Sequence, residues 1–348
     1  RIIYVSTNGA SHTLPFDSWA TAATNIQDAI DIAGAEAVIL ITNGIYQLST
    51  PISVAKPITV RGANGPEVTV LTRRAGVTNR LVNITHPLAV VEGLTISNGF
   101  MYTSTQPFDR GGGVYINQGT LKDCWLVTNR AYYGGAVFID GEGGVVTNCW
   151  MDSNYAYNHG GAIFAYTGYV GNSTFTRNYS YYYHGGGIYF GYTGMVWNCT
   201  FVSNRASTIA NNTYAGYGGG VYMLRSGYVA DSLFDANWAS THGGGLYVNR
   251  GLITNSIFSR NQTRLYFGGG VYLDEGQILD SLAVSNYAST ALNSGYGGGF
   301  YASSTTEIHR AQVEYNVAAH WGGGIFMYSN GLIQSSYIAS NWTHYYGG

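Results

Sequence analysis

The segment Gly185-Gly-Gly-Ile-Tyr-Phe-Gly-Tyr-Thr-Gly-Met-Val-Trp-Asn-Cys-Thr-Phe-Val-Ser-Asn204 decides the fold, because its pattern returns along most of the chain. Its opening glycine recurs at Gly111, Gly134, Gly160, Gly185, Gly218, Gly243, Gly268, Gly297 and Gly322, and a tenth copy begins at Gly347. Successive intervals are 23, 26, 25, 33, 25, 25, 29, 25 and 25 residues. A period of this length filled with short β-type runs marks a solenoid coil.

Aligned on the glycines, the coils resolve into columns. An aliphatic column from Val114 to Ile325 precedes an unbroken aromatic one: Tyr115, Phe138, Phe164, Tyr189, Tyr222, Tyr247, Tyr272, Tyr301 and Phe326. A turn glycine follows, as at Gly119, Gly194 and Gly331, with Thr306 the exception. Then come an aliphatic column from Leu121 to Ile333, a small column holding Cys124, Cys149 and Cys199 among Ser and Ala, and a large apolar column with Phe175, Phe201, Phe234 and Phe258. Every coil then carries Asn: Asn129, Asn154, Asn178, Asn204, Asn237, Asn261, Asn286, Asn316 and Asn341. These spacings read as short strands and leave no room for a helix in a coil. Each coil is expected to be about three strands joined by turns, paired in parallel with its neighbours at about 4.8 Å. Asn tolerates the left-handed conformation at a corner, and its amide can bond the Asn of the next coil, so the column predicts a buried amide ladder. Glycine serves where φ must be positive.

The first hundred residues differ. Residues 24–34 read as a short amphipathic helix, with Thr24 and Gln27 as a capping box and Gly34 as the stop. Strand-like runs follow at 37–41, 58–61, 68–71, 81–84 and 90–96. The expected organisation is one all-β domain over 1–348: a capping helix with irregular coils over 1–100, then nine regular coils over 111–346. The polar segment 101–110 is a loop within that domain. Coil length varies at one corner only, through insertions at 205–217 and 287–296, where solenoids place binding loops.

Composition removes several classes. Charged residues make up 10 % of the chain, against about 25 % in typical soluble domains. Gly (49) and Tyr (31) are in excess and Pro (6) is scarce, which suits neither a disordered chain nor collagen. Sixteen basic and eighteen acidic residues leave no basic surplus for nucleic acid, and no apolar run is long enough to cross a membrane as a helix.

The opening, Ser18-Trp-Ala-Thr-Ala followed by Asn25-Ile-Gln-Asp-Ala-Ile, together with the Gly-Gly-Gly-Ile/Val-Tyr coils, resembles bacterial right-handed parallel β-helix repeat proteins of the pectin-lyase-like superfamily. The repeats are also similar to those of chlamydial polymorphic outer-membrane proteins. Phe175–Asn178 and Phe201–Asn204 match their Phe-x-x-Asn half, and Gly134-Gly-Ala-Val137 and Gly160-Gly-Ala-Ile163 their Gly-Gly-Ala-aliphatic half. Two departures stand out: most third positions are Gly, and no autotransporter barrel follows the repeats. The resemblance implies the fold across nearly the whole chain and an exported, extracellular or cell-surface location. It leaves function open among lyases, glycosidases, adhesins and structural proteins.

An enzyme on this fold would need clustered acids. Asp231 and Asp235 share a coil, as do Asp274, Glu275 and Asp280, and Asp140 lies beside Glu142; none aligns with acids in the same columns of adjacent coils. No catalytic residue, metal ligand or cofactor is therefore expected. His159 and His184 precede the glycines of consecutive coils, with His242 in the same column; they read either as an aromatic corner ladder or as part of a metal site. The cysteines read as small buried fillers, with Cys124 and Cys149 within conceivable disulfide reach. The sequons at Asn261 and Asn341 fall on the amide ladder.

The aromatic column is the candidate ligand or assembly surface. It faces outwards as a strip for sugar rings or a second subunit, faces inwards as a core stack, or faces outwards beneath the Tyr-rich corners. At the chain end Gly347 and Gly348 stand where a subunit contact is expected, since an open solenoid end exposes strand edges. The leading expectation is thus a non-enzymatic structural or adhesive protein that self-associates end to end into extracellular filaments. The alternatives are a carbohydrate-binding surface protein and a polysaccharide lyase or glycoside hydrolase.

Overall fold

The structure is a computed structural model that describes all residues except 9–10, 103–108, 208–214 and 291–293. The coil quoted above shows how the columns become geometry. After its glycines, Ile188–Phe190 and Thr193–Trp197 run in a first sheet, Thr200–Val202 in a second and Arg205–Ala206 in a third. Among the described residues the three sheets hold 19, 12 and 10 strands, paired throughout in parallel. Equivalent residues pair in register: Tyr189 with Tyr222, Phe201 with Phe234 and Ala206 with Ala239. Parallel strands joined through a crossover take the right-handed path in about 98 % of cases. The fold is a right-handed parallel β-helix.

Inside, the aliphatic columns meet a run of parallel rings. Phe175, Phe201, Phe234 and Phe258 stack at 4.7, 4.7 and 4.9 Å between centroids, all fully buried. Beside them runs the amide ladder. In each rung from Asn129 to Asn316, the Asn backbone N–H and side-chain Nδ2 both donate to Oδ1 of the next Asn at 2.9–3.1 Å. Nδ2 also reaches back to a carbonyl of the preceding coil, as from Asn204 to Phe175 at 2.8 Å.

The corner conformation differs from expectation. The left-handed residue is the one before the ladder Asn, for example Ser203 at φ 56° and Ala236 at φ 54°, which leaves the Asn itself free to point inwards. Asn and Asp do occupy the left-handed position at the other corner, where Asp123, Asn148, Asn172, Asn198, Asp231, Asn255 and Asp280 form a second, solvent-facing row. Asn198 there donates to Asn172 at 2.8 Å.

The second glycine of each triplet sits where coils touch backbone to backbone. A Cβ at Gly219 would meet the Gly244 carbonyl oxygen, and the Trp238 oxygen and nitrogen at 2.5 and 2.6 Å. Gly219→Ala is expected to destabilise the protein by about 3 kcal/mol or more, since neither strand can move without breaking its ladder. Third positions are less crowded, with Ala standing at 136 and 162 and a Cβ at Gly220 meeting the Gly245 carbonyl oxygen at 2.8 Å, so Gly220→Ala should lose less in guanidinium midpoint than Gly219→Ala.

At the amino-terminal end the helix Ile26–Ile32 covers the first coils with Ile26, Ala29 and Ile30. Its cap is Asn25, whose side chain accepts from the Gln27 N–H at 2.8 Å, and the helix ends at Ala33. The Thr24 capping box therefore does not form; Thr24 turns to His12 instead. Run 90–96 divides into Val90–Glu92 and Thr95–Ser97, on different sheets.

Candidate binding site

The aromatic column points away from the core, yet it is largely covered. Its nine rings form one stack, with centroid spacings from 6.1 Å (Tyr115–Phe138) down to 4.5 Å (Tyr247–Tyr272) and 5.5 Å at Tyr301–Phe326. Phe138, Phe164, Tyr189, Tyr222 and Tyr301 are buried, and Tyr115, Tyr247, Tyr272 and Phe326 are partly so. The cover is a second ladder, from the residues preceding the glycines. His184 stacks on Tyr217 and Tyr222, both at 4.5 Å, and Phe267 on Tyr301 at 4.6 Å. Of the three orientations open from sequence, the structure takes the outward column beneath aromatic corners.

The histidines belong to that cover. His159 and His184 lie 5.1 Å apart, and the Nδ1 atoms of His159, His184 and His242 accept backbone N–H groups of the following coil at 3.2–3.4 Å. Burial holds His159 and His242 down to about 3 and His184 well below its ordinary value, so all three stay neutral.

The acids singled out in the sequence are not gathered into one place. Asp231, at the outer corner, accepts from Trp197 Nε1 at 2.6 Å and from Asn255. Asp235, on the second sheet, is bound by Arg260 and Ser259. Asp280 takes two bonds from Arg310 and Glu275 pairs with Arg250. Asp274 accepts from Ser304. A groove of about 450 Å³ runs below Asp231 and Asp280, but each acid there is already hydrogen-bonded. The three cysteines are free thiols, so the Cys124–Cys149 bridge does not form. Cys149 donates weakly to the Thr147 carbonyl at 3.2 Å, and burial pushes its thiol up to about 12. Asn261, of the first sequon, is wholly buried in the ladder. The insertion tips 208–214 and 291–293 lie outside the described residues, and Gly323 donates to the Gly347 carbonyl at 3.0 Å beside Gly348.

Asp140 is different. It stands at the amino-terminal end of the ring stack, where irregular coils bring arginines onto the rings. Arg80 lies 5.0 Å above Tyr115 and Arg110 lies 4.8 Å above Phe138. Asp140 accepts the Tyr115 hydroxyl at 2.6 Å and pairs with Arg110 at 3.6 Å. Burial and this bond push the Tyr115 hydroxyl up to about 12, and burial draws the Arg80 guanidinium down to about 10. Next to this cluster a cavity of about 250 Å³ is walled by Tyr133, Phe138, His159, Phe164, Tyr166 and Tyr189, with Arg110 at its mouth. Tyr166 stacks on Tyr192 at 5.7 Å; Tyr192 is 47 % exposed and carries Arg225 at 5.0 Å. The arrangement offers the Tyr166 ring beside the edges of the stacked rings for an apolar surface, with the Arg110 guanidinium next to them for polar groups. Tyr166, Tyr192, Arg80 and Arg225 belong to no repeating column, and Arg110 takes the place of the aromatic residue that precedes the glycines in later coils.

The chain resembles solved structures of the same architecture. A mannuronan C-5 epimerase A-module from Azotobacter vinelandii aligns over 91 % of this chain and 95 % of its own, at 14 % identity and TM-score 0.44. A rhamnogalacturonan lyase aligns over 97 % and 87 %, at 14 % identity and TM-score 0.47. The pectin methylesterase of Erwinia chrysanthemi aligns over 98 % and 90 %, at 14 % identity and TM-score 0.38. These are pectin-lyase-like parallel β-helix proteins, and at this identity the likeness concerns the fold. No protein-family model matches the chain, and no curated protein matches it. The expectation of a non-enzymatic structural or adhesive protein building filaments is corrected here: the neighbours are carbohydrate-active enzymes, not filament proteins. No described helix is long and apolar enough to cross a membrane.

Proposed function

We propose that the protein is an extracellular, polysaccharide-binding β-helix that holds sugar residues in the cavity beside Tyr166. The observation that supports this is that the partly buried Tyr166 ring and the Arg110 guanidinium, itself paired with Asp140, line one cavity. Sugar rings present a C–H face that packs on aromatic rings and a rim of hydroxyls that needs charge-assisted partners, and this cavity has both. A purely apolar ligand would leave the cluster unused. The covered column from Tyr222 to Phe326 serves in this reading as a rigid backing for the site.

The test is calorimetry and glycan-array binding with acidic and neutral oligosaccharides. Tyr166→Ala is expected to weaken binding about tenfold, the scale of a lost ring-stacking contact, with the β-sheet circular-dichroism signal retained because Tyr166 packs edge-on against the outer ring stack at Phe138 and Phe164 and not inside the coils. Binding indifferent to Tyr166→Ala would sink the reading. Assays for new reducing ends and unsaturated products in the same incubations separate holding a chain from cutting it.

A further inference from the structure

We propose that a second, cationic subsite at Arg73, Phe100 and Arg130 extends the ring-walled cavity, so that one acidic polysaccharide chain passes around the solenoid corner through both. The proposal rests on the cavity reading above. Phe100, in the strand Phe100–Met101, has two guanidinium groups near its ring: Cζ of Arg73 lies 5.6 Å from the ring centre and Cζ of Arg130 lies 5.9 Å away. A cavity of about 480 Å³ opens between them, and no carboxylate lines it. Among the described residues neither arginine has a carboxylate within ion-pair distance. Arg177, Arg260 and Arg310 of later coils each hold an aspartate, whereas Arg205, in the same column as Arg130, lies over Trp238 instead.

Both cations are held in place. Arg73 donates from Nε to the Asn98 carbonyl at 2.9 Å, and Arg130 lies over Tyr155 at 4.6 Å and Tyr157 at 4.5 Å while donating to the Tyr157 hydroxyl. A carboxylate entering the cavity can accept a charge-assisted hydrogen bond from either guanidinium, and among the described residues neither has a carboxylate of the protein to satisfy it.

Rings connect this subsite to the cavity. Tyr157 stacks on Tyr102 at 4.1 Å, Tyr102 on Tyr132 at 6.4 Å, and Tyr132 meets Tyr133, a wall of the cavity, at 4.9 Å. Tyr102 is 43 % exposed, so the path has an open face. A chain lying on it carries one acidic group at Arg73 and Arg130 and another sugar at Arg110. A disaccharide is too short to occupy both places, whereas an octasaccharide that spans them gains from the high effective concentration of its second end.

The experiment compares di- and octa-galacturonate binding to the whole protein, with maltooligosaccharides as neutral controls. The acidic octasaccharide is expected to bind on the order of 100-fold tighter than the disaccharide. Thr78→Glu puts a carboxylate at an exposed lining position and leaves both arginines in place. It should abolish the length step while disaccharide affinity stays as it was, and Arg73→Gln should do the same. A length step that survives both substitutions, or that the neutral series shows equally, overturns the subsite. Failure of the cavity reading has a different signature: disaccharide binding unaffected by Tyr166→Ala, beside octasaccharide binding still lost in Thr78→Glu.

Discussion

Replacing Asn204 by leucine should destabilise the protein by about 4 kcal/mol or more, although the two side chains are close in size. Asn204 is fully buried in the middle of the ladder. Its Oδ1 accepts from both the backbone N–H and Nδ2 of Asn178 at 3.0 Å, and its Nδ2 donates to Asn237 Oδ1 at 3.0 Å and the Phe175 carbonyl at 2.8 Å. Leucine strands two donors and one backbone carbonyl at once and leaves the Asn237 oxygen short of a donor. Each buried group left without a partner costs about 1–3 kcal/mol, and no water reaches this depth to replace the bonds. A surface asparagine provides the control. Asn249 donates a single exposed hydrogen bond, to the Leu224 carbonyl at 3.0 Å, so solvent can satisfy what its replacement strands. Asn249→Leu should therefore lose about 1 kcal/mol or less. Guanidinium titrations followed by circular dichroism would show the difference; equal losses at the two positions would mean that the ladder's burial is not what makes it matter.

That contrast also shows what the sequence can and cannot disclose. The Asn column was legible because every coil repeats it, and a repeated buried amide has few ways to satisfy itself. The rings from Phe175 to Phe258 and the triplet glycines were legible for the same reason. The left-handed corner was misplaced by one residue because Ser203 and Ala236 carry no chemical mark of positive φ; the tight turn, enforced by pairing on both sides, imposes it. The sequence left the aromatic column undecided, since period two says which way a side chain points and nothing about what lies over it. Only the fold shows that Tyr217 and His184 from the corners close over Tyr222. The candidate site was the least legible feature. Arg80 and Arg110 precede the first regular coil, Tyr115 and Asp140 come from two different coils, and Tyr166 stands outside every column. Their convergence depends on how irregular coils lean on regular ones, which spacing alone does not encode.

Acid should unfold the protein earlier than its carboxylates would. His159, His184 and His242 are neutral in the folded state because burial opposes their charge, and each Nδ1 is already used to accept a backbone N–H from the next coil. Their ring neighbours are Tyr133, Tyr183, Tyr189, Tyr217, Tyr222 and other aromatics, with no carboxylate stacked against them to favour an imidazolium. In the unfolded chain the same histidines titrate near 6.5. Below that pH the unfolded state binds protons that the folded state refuses until about 3 at His159 and His242, and until well below the ordinary value at His184, so stability falls as pH falls, by about 1.4 kcal/mol per pH unit for each histidine. Three together give a slope of about 4 kcal/mol per pH unit. Asp152 and Asp235, held below the usual carboxylate range by Arg177 and Arg260, act in a lower window: their stabilisation is intact above about pH 4 and is lost as pH falls through their folded values. Between about pH 4 and pH 6.5 the histidines therefore act without them. Denaturant midpoints measured across that range should drop steeply in the wild type and about one third less steeply in His184→Phe, which keeps a ring in the stack and deletes one proton site. A flat profile would mean that water already reaches the imidazoles, and a slope unaltered by His184→Phe would place the acid sensitivity outside the ladder.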